Sequence, residues 1–186
     1  MLKSERLTLY PLSESDVNYM LTWVNAPDII GNIATFDHAY FTWQEELDYI
    51  KRMQESEEDE VFSIWGVSIY DFHYIGQIGI HQIYRRSRTG RLSVVVASKK
   101  DMGKGYGSEA IRRVLDYAFA KAGLNLHKVW LLVFEENERS RKTYERVGFI
   151  QEGVLREEYL HNKRYHNMVR MSILASEWKA QYNENS

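Results

Sequence analysis

The sequence has no cysteine, no excess of basic charge and no long apolar run, and each absence excludes a class of protein. Without cysteine, its 186 residues can form no disulfide, thiolate metal site or cysteine nucleophile. A net charge of −2 argues against a general nucleic-acid binder, which would normally have a basic face. No apolar run approaches the ~20 residues of a membrane-spanning helix, and the charged residues 1–6 do not form the apolar core of a signal peptide. We therefore expect a cytoplasmic protein that binds neither nucleic acid nor membrane.

What the sequence does contain is enough apolar material for one globular domain. Hydrophobic residues make up 44% of the chain and aromatic residues 13%, which is typical of a folded protein with a core. The length suits a single domain, and there is no internal repeat, low-complexity tract or linker. We predict one mixed α/β domain over residues 1–186.

Apolar periodicity and capping signals predict two helices near the N-terminus. Residues 7–10 alternate like a short strand. Ser13 is a candidate N-cap for a helix that ends near Pro27. Thr42 and Glu45 form a capping-box pattern for a second helix, which runs toward Met53. The acidic stretch after it, residues 55–60, is predicted to be a solvated loop.

The rest of the chain predicts a sheet with a single parallel strand pair. Three closely spaced strands are expected to form an antiparallel meander, the first two joined near Asp71: Val61–Tyr70, Ile75–Tyr84 and Leu92–Ala97. Later strands are predicted at Val129–Phe134, Val154–Leu155 and Met168–Leu174. Only the third and fourth of these six strands, with the helix between them, form a strand-helix-strand unit. The sheet should therefore be mixed and mostly antiparallel.

A glycine-rich loop, residues 102–107, joins the strand Leu92–Ala97 to a helix whose apolar positions recur from Ala110 to Phe119. Glycines allow several backbone N–H groups to converge, and the free donors of the first helical turn add to them. The helix dipole makes the same place attractive to phosphate. The loop therefore predicts a phosphate-bearing ligand.

The same loop has two other interpretations. Residues 105–110 match the dinucleotide fingerprint G-x-G-x-x-A, and Glu135 or Glu136 ends the next strand. The preceding meander and a spacing of about thirty residues argue against a nicotinamide-binding fold. A glycine turn that only tightens the strand-helix joint is the other interpretation. A P-loop is excluded, because no G-x-x-x-x-G-K-[ST] is present.

A second constellation follows the strand that ends at Phe134. Four of its residues recur at helical intervals and fall near one helix face: Asn137, Ser140, Tyr144 and Gly148. Gly148 is also a plausible helix C-cap. From periodicity alone, the tyrosine is either a packed aromatic or a functional hydroxyl.

Together the two motifs resemble the GNAT superfamily of N-acetyltransferases. The loop is similar to that family's [Q/R]-x-x-G-x-[G/A] acyl-CoA motif, with Met102, Gly105 and Gly107 in its three defined positions. Met102 departs from the family, which usually has Gln or Arg there. The order of elements agrees over residues 6–174. The resemblance implies an α/β (α+β) GNAT-type acyl-CoA N-acyltransferase fold, whose central parallel strands splay apart between flanking helices.

Two further stretches, residues 123–128 and 152–157, resemble the Rim-type branch of the superfamily. That branch includes ribosomal-protein N-terminal acetyltransferases and spermidine acetyltransferases. The implied acceptor is therefore a primary amine: a protein N-terminus, a polyamine or another small amine. Acidic residues 45, 46, 48 and 55–60 favour a cationic acceptor. Relatives often form homodimers, so the resemblance allows a homodimer.

The resemblance implies acetyl-CoA as co-substrate and no metal. The pantetheine arm would extend the sheet along the strand Leu92–Ala97, and the pyrophosphate would lie on the amides of residues 103–108. The implied coenzyme-binding residues are Val95, Val96, Ala97, Met102, Gly103, Lys104, Gly105, Tyr106, Gly107, Ser108, Asn137 and Arg141. His127, His161 and His166 lack metal-ligand spacing and are expected to be structural or surface residues.

The implied reaction is direct attack of a neutral amine on the thioester. The amide of Val96 would polarise the carbonyl, and Tyr144 would act as general acid toward the leaving thiolate. The base is left open between Glu135, His81 and a chain of waters, because the strand Leu92–Ala97 carries no glutamate. Two other functions stay open: a non-catalytic acyl-CoA-binding regulatory domain and a nucleotide-dependent oxidoreductase.

Overall fold

The computed structural model describes residues 1–31, 40–67 and 72–183. Within them, the strands are β1 (Leu2–Lys3), β2 (Leu7–Pro11), β3 (Glu60–Val67), β4 (Phe72–Tyr84), β5 (Thr89–Val96), β6 (Lys128–Phe134), β7 (Ile150–His161) and β8 (Arg164–Leu174). The helices are α1 (Val17–Val24), α2 (Pro27–Ile30), α3 (Trp43–Glu55), α4 (Tyr106–Phe119), α5 (Glu138–Val147) and α6 (Ala175–Asn183). A 3-10 turn, Glu14–Asp16, precedes α1. No helix of the described residues is both long and apolar enough to cross a membrane.

All eight strands belong to one sheet, in the order β1-β2-β3-β4-β5-β6-β8-β7. Every neighbouring pair is antiparallel except β5 and β6, which run parallel. The predicted meander and the single parallel pair are both confirmed. The predicted turn near Asp71 lies outside the described residues.

The parallel pair holds together only at its beginning. β5 and β6 are in register at three positions, of which Arg91 opposite Trp130 is the last. The described parts of the two strands form no further pair beyond it. The central strands therefore splay apart, as the resemblance implied, and leave a gap in the sheet.

Each face of the sheet is covered by its own helices. α4 packs on one face with Ile78, Ile80, Leu92 and Val129, whereas α1 and α3 pack on the other face with Val61. Successive strand residues point to opposite faces, so Val94 and Val96 face α4 while Val95 and Ala97 face the α1/α3 side. The gap thus opens between two helical layers.

Local signals determine most helix ends. The amide of Thr42 donates to Glu45 Oε2 at 2.8 Å and the Thr42 hydroxyl accepts from the Glu45 amide at 3.3 Å, which confirms the capping box of α3. Gly148 follows α5 with a φ of 113°, as expected of a C-cap. The predictions were too short for β7 and β8 and omitted α6. β7 is largely exposed and its register with β8 shifts twice, so its sequence lacks a regular apolar alternation.

Candidate active site

The glycine-rich loop presents an uninterrupted row of free backbone donors. Gly103 and Gly105 have φ angles of 84° and 87°, which a residue with a Cβ adopts only with strain. Gly105 is the N-cap of α4. No acceptor among the described residues takes a hydrogen bond from the amides of residues 103–108. Six free donors at a helix N-terminus are able to bind an anionic group such as a phosphate.

The segment just before these donors is held by polar contacts and one apolar contact. The buried Asp101 carboxylate accepts from His73 Nε2 at 3.4 Å and from Lys104 Nζ at 3.3 Å. The amide of Met102 donates to Ser98 O at 3.2 Å, and its side chain packs against the core cluster of α1 and α3. The Met102 side chain therefore secures the loop through apolar contact.

Arg6 is a loop contact that the sequence analysis did not identify. Its Nη1 donates to Lys104 O at 3.0 Å, and its guanidinium carbon lies 4.9 Å from the centre of the Tyr106 ring. A methyl group added at Gly105 would lie 3.3 Å from Arg6 Nη2. Arg6 therefore adds positive charge beside the free amides. No local pattern marks it, because the contact joins residues about a hundred positions apart.

Two of the three arginines of α5, Arg139 and Arg141, lie in different surroundings. A methyl group at Gly103 would lie 3.4 Å from Arg139 Nη2, so exposed Arg139 stands beside the loop. Arg141 instead donates to the carbonyl of Glu135 at 3.1 Å and contacts Gln151 of β7. On position alone, Arg139 is the better placed of the two for a phosphate.

β5 offers backbone groups to the gap. The amide of Ala97 donates to Ile75 O of β4 at 2.8 Å, and the carbonyl of Val95 also faces β4. Because polar groups alternate between the two edges of a strand, those of Val94 and Val96 point toward the gap. Gly107 of α4 lies against Val96, so the loop and this edge adjoin.

Tyr144 lies on α5 against the core cluster on the α4 side, with its ring 5.9 Å from that of Phe149. Burial raises the pKa of Tyr144 to about 12. Its hydroxyl has no hydrogen-bond partner among the described residues. It is therefore a protonated donor at neutral pH, able to serve an incoming acceptor atom.

A small cavity of about 70 Å³ lies at the end of β6. Its lining residues are Gly31, Phe134, Glu136, Asn137, His161 and His166. Asn137 Oδ1 accepts from the Ser140 amide at 3.1 Å and thereby caps α5. His161 and His166, expected to be structural or surface residues, line this pocket. No spacing rule in the sequence would have grouped them.

The two base candidates are already engaged in hydrogen bonds. Glu135 Oε2 accepts from Asn167 Nδ2 at 2.8 Å. His81 contacts Asp59 at Nδ1 and Ser93 at Nε2, both at 2.8 Å. The prediction of a solvated loop over residues 55–60 is therefore wrong at both ends, because Glu55 ends α3 and Glu60 begins β3. It is also wrong for Asp59, whose carboxylate contacts His81 of β4.

Free amides suited to a diphosphate, beside a sheet edge that can pair with amide groups, are the features expected of a coenzyme A-dependent acyltransferase. Residues 6–150 match the family described as "Acetyltransferase (GNAT) domain", and the chain belongs to that family. The six amides of the loop and the edge at Val96 fit the diphosphate and the pantetheine arm of the coenzyme.

Several relatives resemble the chain over nearly its whole length. It is 31% identical to spermidine N(1)-acetyltransferase of Vibrio cholerae over 94% of this chain and 96% of that protein. Identity to the Escherichia coli K12 enzyme of the same name is 26%, over 98% and 93%. A putative ribosomal N-acetyltransferase of Bacillus subtilis is 33% identical over 61% and 60%. The crystal structure of the V. cholerae enzyme with CoA and spermine superposes with a TM-score of 0.85, at 28% identity over 95% and 99%.

The protein is an N-acetyltransferase that transfers the acetyl group of acetyl-CoA to a primary amine. Its α/β fold, with the mixed sheet open at the parallel pair, is that of the family. The oxidoreductase and the non-catalytic domain are thereby set aside. Within the described residues, no group of three or more His, Asp or Glu side chains could hold a metal ion.

Proposed function

We propose that the acceptor is a polyamine such as spermidine. The observation that carries this proposal is the cavity at the end of β6, where the rings of Phe134 and His166 lie 5.3 Å apart beside Glu136. A hydrogen bond from its own amide, with the contact to His166, holds the pKa of Glu136 below its usual value, so this carboxylate is ionised. Aromatic faces beside a carboxylate suit an organic cation. Relatives of nearly full length are named as spermidine acetyltransferases.

We place acetyl-CoA along the loop and the open edge of β5. The amides of residues 103–108 would hold the diphosphate, with Lys104, Arg6 and Arg139 supplying charge. The pantetheine arm would run along residues 95–97. Asn137 would orient the loop between β6 and α5, which faces the arm. To reach the coenzyme, Arg141 would have to break its hydrogen bond to the Glu135 carbonyl. We therefore propose only a secondary role for Arg141.

In the proposed reaction, the neutral amine attacks the thioester carbon on the α1/α3 side of the gap. The Val96 amide stabilises the charge that develops on the oxygen. A C–N bond forms, the C–S bond breaks, and the Tyr144 hydroxyl donates its proton to the leaving sulfur.

An amine panel tests this function through thiol release from acetyl-CoA. The panel should contain spermidine, spermine, a neutral-chain monoamine and a short peptide with a free N-terminus. We expect kcat/KM for spermidine to exceed that for the monoamine by about tenfold or more, as one added charge contact predicts. Equal turnover of the polyamine and the monoamine would remove the proposal.

A protein N-terminus is the second candidate acceptor, and one residue favours it. Arg91 lies at the last β5–β6 pair, with its Nε buried and without a hydrogen-bond partner among the described residues. A guanidinium there would repel a polyamine cation, and its free Nε–H could donate a hydrogen bond to a peptide carbonyl. Faster turnover of the peptide than of spermidine would support this acceptor.

We also propose one domain over residues 1–186, a homodimer and a cytoplasmic location. The single sheet from β1 to β8 supports the first, and the absence of cysteine is consistent with the last. Sedimentation analysis tests the dimer: a species of one chain mass at assay concentration would contradict it.

A further inference from the structure

Three side chains form a continuous hydrogen-bonded chain on the α1/α3 face of the sheet. His81 Nδ1 lies 2.8 Å from Asp59 Oδ1, and His81 Nε2 lies 2.8 Å from Ser93 Oγ. Ser93 follows Arg91, the last residue of β5 paired with β6, by two positions. We propose that Asp59, His81 and Ser93 form a proton relay that removes the proton which the acceptor ammonium must lose before attack.

The position of Ser93 fits this role. Ser93 and Val95 lie on the same face of β5, about 7 Å apart, and Ser93 is partly exposed where the sheet opens. With the thioester carbonyl at the Val96 amide, as proposed above, the acceptor nitrogen would connect to Ser93 Oγ through one water. The inference therefore rests on the proposed acetyl-transfer site, though not on the identity of the amine.

A glycine gives the relay its geometry. Gly79 is the β4 partner of Ser93 and lies two residues before His81. A methyl group on Gly79 would lie 3.0 Å from His81 Nε2, which is closer than nearly all Cβ contacts. The imidazole therefore reaches across Gly79 to Ser93. A methyl group at Gly79, also 3.0 Å from Val61 Cγ2 and 3.1 Å from Glu60 O, would press on both the ring and β3.

The charges around His81 suit a proton acceptor. Burial lowers the pKa of His81, so its ring is neutral at neutral pH. Burial raises the pKa of Asp59, but hydrogen bonds from Ser56 and His81 lower it further, so the pKa lies below its usual value. An ionised carboxylate therefore faces His81 Nδ1. Arg91 of β5 opposes protonation of His81.

The α3 helix contributes two more ionisable groups to this region. Tyr49 interacts electrostatically with Asp59 and Arg91, and Glu46 lies next to Tyr49. Burial raises the pKa of both groups: Tyr49 stays neutral, whereas Glu46, with a pKa of about 7, gains its charge within the range of the assay. Asp59 is the main stabiliser of a protonated imidazole.

The proton transfers balance. The ammonium gives one proton through water to Ser93 Oγ, whose own proton passes to His81 Nε2, while Nδ1–H donates to Asp59. The neutral amine then forms the C–N bond and the C–S bond breaks. Tyr144 protonates the thiolate and regains a proton from the new amide nitrogen through water. His81 finally releases its proton to solvent.

The test compares His81→Gln with His127→Gln, a matched change at an exposed histidine immediately before β6. With spermidine, or the best amine of the panel if spermidine is not turned over, kcat/KM is measured from about pH 6 to 10. We expect His81→Gln to lose about 100-fold near pH 7.5, as for a general base. The deficit should shrink to about threefold near pH 10, where the free amine no longer needs a base. His127→Gln should follow the unmodified protein throughout.

A glycine pair provides the second arm. Gly79→Ala should reproduce the pH-dependent deficit, whereas Gly153→Ala should not, because a methyl group at Gly153 meets nothing within 4 Å. CoA affinity, measured by calorimetry, should be unchanged in all four variants.

Three results would overturn the relay: no loss in His81→Gln, an equal loss at every pH, or a protein that binds CoA but acetylates no amine. If another amine is turned over and spermidine is not, the acceptor proposal fails while the relay is still tested on that amine.

Discussion

Arg6 and Glu109 join the N-terminal segment to the first turn of α4. The Nη2 and Nε atoms of Arg6 lie 2.7 and 2.8 Å from Glu109 Oε2, and the Arg6 amide donates to Oε1 at 2.8 Å. Ser4 Oγ adds a bond to Oε1 at 2.7 Å. Against the effect of burial, these bonds hold the pKa of Glu109 below its usual value. The carboxylate thus orients a guanidinium toward the glycine-rich loop.

Replacing Arg6 by Gln should weaken CoA binding about tenfold, because one charge-assisted contact to phosphate is worth about 1.5 kcal/mol. The deficit should shrink as salt increases. Calorimetric titration with CoA at two salt concentrations measures both effects. Lys51→Gln, a neutralised exposed cation on α3, serves as control. Equal affinity of Arg6→Gln and the unmodified protein would show that Arg6 only fastens the N-terminus.

Replacing Tyr144 by Phe should lower kcat by about 100-fold or more while leaving CoA affinity unchanged. With its pKa near 12, Tyr144 stays protonated up to high pH, so it should add no inflection to the rate profile below about pH 10. Stopped-flow measurement of acetyl transfer tests this. The control is Tyr84→Phe, at an exposed strand end. Unchanged kcat in Tyr144→Phe would assign the tyrosine to packing.

Glu46 should make the protein less stable as pH rises. Its side chain is buried, Oε2 has no hydrogen-bond partner in the described part of the chain, and burial raises its pKa from 4.5 to about 7. The native state therefore keeps this proton at pH values where the unfolded chain has lost it, and the free energy of unfolding falls between those two pKa values.

Glu46→Gln should remove that dependence. We expect it to stabilise the protein by about 1–3 kcal/mol at pH 8 and by little at pH 4.5. Urea unfolding at both pH values measures the difference. Glu55→Gln, an exposed change on the same helix, should have no such effect. A Glu46→Gln advantage that does not grow with pH would contradict the prediction.

Glu136→Gln should raise KM for spermidine about tenfold and change KM for a monoamine by much less, because one charge-assisted contact to the second amine is lost. Steady-state kinetics with both amines provide the measurement. The control is Glu138→Gln, a neighbouring exposed carboxylate paired with Lys142. A similar rise for both amines would indicate that the change disturbs His166 and the cavity as a whole.

Much of this site could be predicted because its signals are local in the chain. Gly103 and Gly105 are needed by the loop's own backbone, and Asn137 and Gly148 mark the two ends of a single helix. The role of Met102 was harder to predict, because its side chain acts through apolar contact with α1 and α3. The long β7–β8 pair was underestimated because exposed strands need no regular apolar pattern.

The sequence by itself determined the glycine-rich loop before α4, the helix that carries Tyr144 and the single parallel strand pair, since each depends on residues adjacent or at fixed spacing along the chain. Only the tertiary structure decided that Arg6 meets Glu109, that Phe134, Glu136 and His166 surround one cavity, and that Asp59, His81 and Ser93 share one hydrogen-bonded chain. Side chains distant in sequence become partners only when strand register and helix packing place their atoms within about 3 Å.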